Sequence, residues 1–285
     1  MKILNFILLI IKKNPLRGRA FLIKNLTYIF PKLEQFSYNL NYSKKNLVLN
    51  LKDSTAINLF LNDKITHEQG LLKLLVILGK SQKTTFWDIG CNYGFYPFML
   101  QELKNYNKIL CFEPNPNTFK CLQNSFRMNK NIYTYNFGIG SKSDNLNFYY
   151  NKNRSDLGSF VNGIAKNNIN TLIIPIKTID EIINKENFPD LLKIDVEGFE
   201  TEVLKGFKQV TYYKPIIILE WITLFQEDTI EVLIDKYFDT TWKFYYIDEI
   251  YPILYKEKNK KCGSDILIIS IDNKYIDIIK CLITN

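Results

Sequence analysis

The sequence predicts an α/β fold: a doubly wound, mostly parallel sheet preceded by a mainly helical extension. Two observations predict it. Short apolar runs at Thr85–Ile89, Ile109–Phe112, Ile132–Phe137, Leu191–Val196 and Ile216–Glu220 are each bounded by turn residues or a helical stretch. Such runs alternating with helices are the pattern of buried parallel strands. The stretch from Phe86 to Pro114 then reads as strand, glycine turn, helix, strand and acid, the front half of a nucleotide-type binding site in such a sheet.

The totals agree with a globular chain. Its 285 residues are 46% hydrophobic and 23% charged, enough to bury a sizeable core and too apolar for disorder. The net charge of +8 is local: residues 1–33 hold Lys2, Lys12, Lys13, Arg17, Arg19, Lys24 and Lys32 and no acid. A nucleic-acid binder spreads its charge over the folded surface, so no nucleic-acid partner is expected. Five cysteines, odd in number and without a Cys-x-x-Cys pair, argue against a zinc site or a disulfide framework. Reduced thiols suit a cytoplasmic compartment.

In chain order, Ile3 to Ile11 is apolar apart from Asn5. Nine helical residues rise only about 14 Å against about 30 Å of hydrocarbon, so the segment does not span a membrane. No small-x-small cleavage site follows it, which disfavours a secretory leader. From Arg17 to Lys32, apolar residues alternate with basic ones. That composition suits an interfacial segment on anionic lipid at the inner membrane face, and equally an arm packed on the domain or on a second subunit. Residues 34–65 are rich in Asn and Lys and give no assignment. The expected division is an extension over 1–65 and one domain over 66–285.

Thr66 with Gln69 has capping-box spacing, and Leu71, Leu72, Leu74, Leu75 and Leu78 continue a helix that Gly79 closes. His67, the only histidine, reads as a surface residue near that cap. Leu146–Tyr150 and Leu172–Ile176 are two further strands, joined by a polar loop over Asn151–Asn170. That loop is either a closure over a ligand site or a surface insertion. Thr178 and Glu181 form a second capping box, opening a helix to about Lys185. A further helix is expected from about Phe199 to Val210, and Lys243–Ile247, Ile253–Tyr255 and Asp265–Ser270 make a β-rich tail.

The chemistry concentrates in two blocks. In Asp88-Ile-Gly-Cys-Asn-Tyr-Gly94 a glycine directly after a buried strand lets the backbone turn and approach a ligand. The next helix begins near Gly94 with free amides. Glu113 ends the following strand, 23 residues after Gly90, where an acid accepts ribose hydroxyls. A dinucleotide turn needs Gly-x-Gly-x-x-Gly, but the sequence has Asn92 and Phe95 in place of its second and third glycines. Asp88 would repel a pyrophosphate and attract a cationic ligand. The second block is Asp195-Val-Glu197-Gly-Phe-Glu200, which puts Asp195 at the carboxyl end of a strand beside the switch in strand order.

These blocks resemble the FkbM-type methyltransferases. The resemblance rests on Asp88 to Gly94, Phe112-Glu-Pro-Asn-Pro116, Thr178-Ile-Asp180, Lys193-Ile-Asp-Val-Glu-Gly-Phe-Glu200, Val203-Leu-Lys-Gly206 and Pro215 to Glu220. It covers roughly residues 80–222. Cys91 stands where the family usually has a small residue such as Ala. The resemblance implies a seven-stranded Rossmann-like sheet with an antiparallel C-terminal strand, and O-methylation from S-adenosylmethionine. The acceptor it implies is a hydroxyl of a sugar, a surface glycan or a glycosylated metabolite.

On that mapping Asp88, Gly90, Asn92, Gly94 and Glu113 bind the cofactor, and Gly138 lies near the adenine. Asp195 and Glu197 are the candidate catalytic carboxylates, as base or as orienting group. Glu200 reads as structural, because acids are favoured at a helix start regardless of chemistry. Asp195, Glu197 and Glu220 are also a ligand set for a divalent cation, but no histidine or cysteine joins them and no metal is expected. The rival readings are a nicotinamide-dependent oxidoreductase and a non-catalytic membrane-associated module. The oligomeric state is not legible.

Overall fold

A computed structural model of the chain describes residues 2–14, 17–39, 45–62, 68–165, 169–226 and 228–284. Its first elements are α1 (Lys2–Lys13), α2 (Arg19–Ile29), a hairpin of β1 (Phe36–Tyr38) and β2 (Leu47–Leu49), and α3 (Ser54–Asn62). The two N-terminal helices turn Leu8, Ile23 and Thr27 inward, with Leu4, Ile11 and Leu26 beside them. These residues share one core with Phe36, Leu47 and Phe60 and with the central strands. α2 packs directly on α3.

The central sheet begins after α4 (Gln69–Ser81) with β3 (Thr84–Ile89), α5 (Phe95–Leu100), β4 (Tyr106–Phe112), α6 (Pro116–Phe126) and β5 (Ile132–Tyr135). The start of α6 is set by its cap: Asn115 accepts the Asn117 amide and Pro116 occupies the first turn. A smaller sheet follows, built from β6 (Gly138–Ile139), β7 (Asp144–Asn151), β8 (Arg154–Ser159) and β9 (Ile169–Lys177) in the order β6-β9-β7-β8. Next come α7 (Ile179–Ile182), β10 (Leu191–Ile194), α8 (Glu200–Lys205), α9 (Val210–Tyr213) and β11 (Ile216–Glu220). The chain closes with α10 (Ile230–Tyr237), β12 (Trp242–Asp248), β13 (Leu254–Tyr255), β14 (Cys262–Ser270), α11 (Ile276–Leu282) and β15 (Ile283–Thr284).

The large sheet has the order β15-β13-β12-β14-β11-β10-β3-β4-β5. Its strands β5, β4, β3, β10 and β11 run parallel, and β14 is antiparallel to β11. Among the described residues the sheet has nine strands where seven were expected; β13 and β15, the strands added at one edge, are two residues each. The chain runs from β3 outward to β5 and then returns to β10 on the other side of β3. That reversal opens a crevice at the carboxyl ends of β3 and β10.

Several local expectations change. The third parallel strand stops at Tyr135, and Gly138 starts β6, pairing with Ile176 in the smaller sheet. The loop over 151–170 carries a strand of its own, β8, against β7. Gly79 does not end its helix, which continues to Ser81; a Cβ there would lie 2.1 Å from the Tyr106 ring, so the glycine admits that ring. The helix expected from Phe199 to Val210 breaks at Gly206 into α8 and α9. The Thr178–Glu181 capping box is present, and its helix ends at Ile182. Thr66 and His67 lie outside the described residues. No helix among the described residues is long and apolar enough to cross a membrane.

Candidate functional site

A cavity of about 640 Å³ lies over the crevice. Asp88, Gly90, Asn92, Glu113, Asp195 and Glu197 all line it. Gly94 and Gly138 do not: Gly94 faces Leu122 and Phe126 of α6, and Gly138 faces Phe160 and Ile176.

The turn after β3 shows why its residue types are needed. Gly90 has φ +82, and a Cβ on it would fall 1.7 Å from the Asp195 carbonyl oxygen. Only glycine lets the turn pass this close to the end of β10. Asn92 also adopts a left-handed φ of 52, a conformation that Asn tolerates better than most residues. Glu113 braces the turn from the next strand. Its Oε2 accepts the Asn92 amide at 2.9 Å and its Oε1 accepts the Asn115 amide at 2.8 Å. Each oxygen retains a lone pair toward the cavity. Burial pushes the Glu113 carboxyl up to about 8, against the pull of those two amides.

Asp88 differs. Its carboxyl is 1% exposed, and neither oxygen has a hydrogen-bond partner. Burial, with repulsion from Asp195, pushes it up to about 7 although Lys193 draws it down. A buried carboxylate without a donor is costly. A cation-bearing ligand in the cavity would relieve that cost.

Lys193 stands across the β3–β10 ladder from Asp88. It is 2% exposed, lies over the Tyr96 ring at 5.2 Å, and donates to Asp195 Oδ2 at 2.6 Å. Burial alone would lower the ammonium, but Asp195, Glu68, Asp88 and Asp265 outweigh it and hold Lys193 well above its ordinary value. Asp195 in turn stays ionised: burial opposes it, and Lys193 and then the hydrogen bond from Glu220 win. Glu220, beside the charged Asp195 and buried, is pushed up to about 11 and carries the proton that the two carboxyls share.

Glu197 completes the acidic group. Burial and the neighbouring Asp195 and Glu200 push it up to about 8. Its φ of 52 is left-handed, a conformation glutamate rarely adopts. Oxygens of Asp195, Glu197 and Glu220 lie within 4.8 Å of one another, the arrangement of a hard-cation ligand set. Glu200 points away from this chemistry; its Oε1 accepts the Val196 and Gly198 amides at 3.1 and 3.2 Å and so ties down the turn that carries Glu197.

The opposite wall comes from α3 and the smaller sheet. Ser54, Thr55, Asn58 and Asn62 face Phe148, Phe160, Ser155 and an Arg154–Asp156 pair closed at 2.6 Å. Asp53 fastens this wall to the turn. It accepts the Tyr93 hydroxyl at 2.8 Å and the Thr55 and Ser155 amides at 3.0 and 3.3 Å. Ser155 Oγ also donates to Asn92 Oδ1 at 3.1 Å. Sequence reasoning gave Lys193 no role, although a lysine inside the run Leu-Leu-Lys-Ile was a signal, since it is rarely buried unless paired. Nothing in the sequence pointed to α3 or Asp53.

Fold and cavity together define a class: an open α/β sheet with a ligand-sized cavity at the carboxyl ends of its central strands. Within that class, the profile described as the methyltransferase FkbM domain matches residues 88–265. The chain belongs to the FkbM methyltransferase family. The hexuronic acid methyltransferase AglP of Haloferax volcanii is 31% identical over 158 residues, which are 54% of this chain and 62% of AglP. The match thus spans less than two thirds of that relative's length. Among solved structures, a TehB-like SAM-dependent methyltransferase from Corynebacterium glutamicum is 10% identical over 75% of this chain and 92% of its own, with a TM-score of 0.43. The methyltransferase domain of bacterial CtHen1 is 12% identical over 71% of this chain and 98% of its own, with a TM-score of 0.39.

Proposed function

We propose that this chain is an S-adenosylmethionine-dependent O-methyltransferase acting on a sugar hydroxyl of a glycan or glycosylated metabolite. The observation that carries the donor is Asp88, a buried carboxylate with both oxygens unpartnered beside the glycine turn. It suits the ammonium of the methionine end, while Glu113 offers lone pairs to the ribose hydroxyls. AglP, whose name describes a hexuronic acid methyltransferase, supports a sugar acceptor. So does the wall opposite the acids, where two phenylalanines and a row of hydroxyl and amide side chains suit a ring with one apolar face.

When bound, S-adenosylmethionine supplies a methyl group on a sulfonium that departs as a neutral thioether. The chain's own residues align the acceptor and take its proton. Glu197, basic near neutral pH and facing the cavity, takes the hydroxyl proton. Asp195, fixed by Lys193 and Glu220, orients the acceptor oxygen. Peripheral attachment at the inner membrane face through residues 1–33 belongs to the same reading.

Calorimetric titration with S-adenosylmethionine, S-adenosylhomocysteine and NAD tests the donor. Binding heat is expected from the first two and none from NAD; silence from both adenosyl ligands overturns the reading. Repeating the titration with magnesium reports whether Asp195, Glu197 and Glu220 hold a cation.

A further inference from the structure

The α1–α2 hairpin carries apolar surface on two sides. α1 buries Leu8, with Leu4 and Ile11 packed against the core. It also turns Ile3, Phe6, Ile7 and Ile10 outward, a second row at helical spacing, with Ile3 78% and Phe6 64% exposed. α2 repeats this, burying Ile23 while Phe21, Leu22, Tyr28 and Ile29 face solvent, Tyr28 at 69%. A helix that is apolar all round is ordinarily covered all round. Half of the exposed large hydrophobic residues described for the chain fall within residues 3–30, so this is a contiguous patch and not the scatter normal for a surface.

The charge around the patch selects its occupant. Residues 1–33 hold seven bases and no acid, and Lys13, Arg17 and Lys32 are exposed. Lys12 is turned over the Tyr38 and Phe60 rings, and Arg19 and Lys24 are half-buried. Beside the patch Glu34 is neutralised by Lys52, which also lies over the Tyr28 ring. An apolar face whose fringe is net cationic complements an anionic bilayer, whose headgroups meet the bases while the tails receive the side chains. A second copy of this hairpin would bring like charges together.

We infer that α1 and α2 lie in the interface of an anionic membrane, with these two outward rows inserted, and that the acceptor is a glycan carried on a membrane lipid. The second half rests on the methyltransferase reading. It follows from where the hairpin sits: α2 packs on α3, and α3 gives Ser54, Thr55, Asn58 and Asn62 to the cavity wall. Seating the hairpin on lipid therefore sets that wall beside the headgroups.

Vesicle flotation of the full chain tests the first half. Vesicles containing phosphatidylglycerol should carry the protein and pure phosphatidylcholine should not. The double variant Phe6→Asp with Ile10→Asp should weaken binding at least tenfold. Binding that ignores lipid charge or survives the double variant overturns the inference, as does a dimer that the variant dissociates without any vesicle binding. For the second half, a fluorophore on Asn58→Cys, in a background carrying Cys262→Ser and Cys281→Ser, should be quenched by headgroup-labelled lipid. Flotation without quenching overturns the placement of the cavity wall. Neither readout needs the methyl donor, so calorimetry separates this failure from failure of the proposed activity.

Discussion

The two halves of the cavity, which the proposed function gives to the donor and to the acceptor, are built differently. On the donor side one continuous stretch, residues 88–115, supplies both the acids and the amides that hold Glu113. On the acceptor side Asp195, Glu197 and Glu220 arrive from two strand ends and a turn; Asp195 and Glu220 share a proton, Lys193 holds Asp195, and Glu200 ties down the turn of Glu197. Backbone braces the first half; side-chain charge braces the second. The first should break through sterics, and the second through chemistry with the fold left standing.

The largest effect is expected from Gly90→Ala. A Cβ 1.7 Å from the Asp195 carbonyl oxygen, in a left-handed backbone, must push β3 from β10 at a cost of about 2–5 kcal/mol. Donor binding should be lost and the melting temperature should fall sharply. A variant that melts like the parent would show that the two strand ends are not locked here.

Glu197 separates chemistry from fold. Glu197→Gln keeps the shape and removes the base, so turnover should fall about 100-fold or more with stability nearly unchanged. Glu197→Gly should lose the same turnover and yet gain up to about 1 kcal/mol by relieving the left-handed conformation. Activity within threefold of the parent in either variant removes Glu197 from proton transfer.

The smallest effect is in pH dependence. Asp88 and Glu113 have folded values raised to about 7 and about 8. The stability they contribute is fully present below the ordinary carboxylate range and is lost as pH rises through those values. The unliganded chain should therefore melt lower at pH 8.5 than at pH 5.5. Donor binding should run the other way, because a cation favours ionised Asp88: affinity should fall about tenfold per pH unit below pH 7. Melting curves and calorimetry over that range check both signs, and a donor affinity flat with pH would mean that Asp88 does not meet a cation.

The same contrast explains what the sequence revealed. The five parallel strands were legible as short apolar runs; β3, β4, β10 and β11 are buried over most of their length, while β5 at the sheet edge exposes Tyr133. Asp88 and Glu113 were legible because their motif is contiguous. The wall from α3 was not, since Asp53 and Thr55 meet Ser155 only through folding. β8 was missed because Arg-Ser-Asp-Leu-Gly-Ser has no apolar alternation; it pairs with β7 and forms part of the cavity lining. Gly138 was expected at the end of the third strand, but that strand stops at Tyr135 and Gly138 opens β6. The two-residue edge strands β13 and β15 are too short to leave a pattern.

Asp53 adds a consequence for change over time. One buried carboxylate joins the hydroxyl of Tyr93 to the amides of Thr55 and Ser155, so the root of the acceptor wall cannot drift without disturbing the donor turn. Asn58 and Asn62 line the cavity from the exposed side of the same helix. On the proposed reading, substitutions at those tips can alter the acceptor fit without touching the donor turn, whereas substitutions at the root cannot.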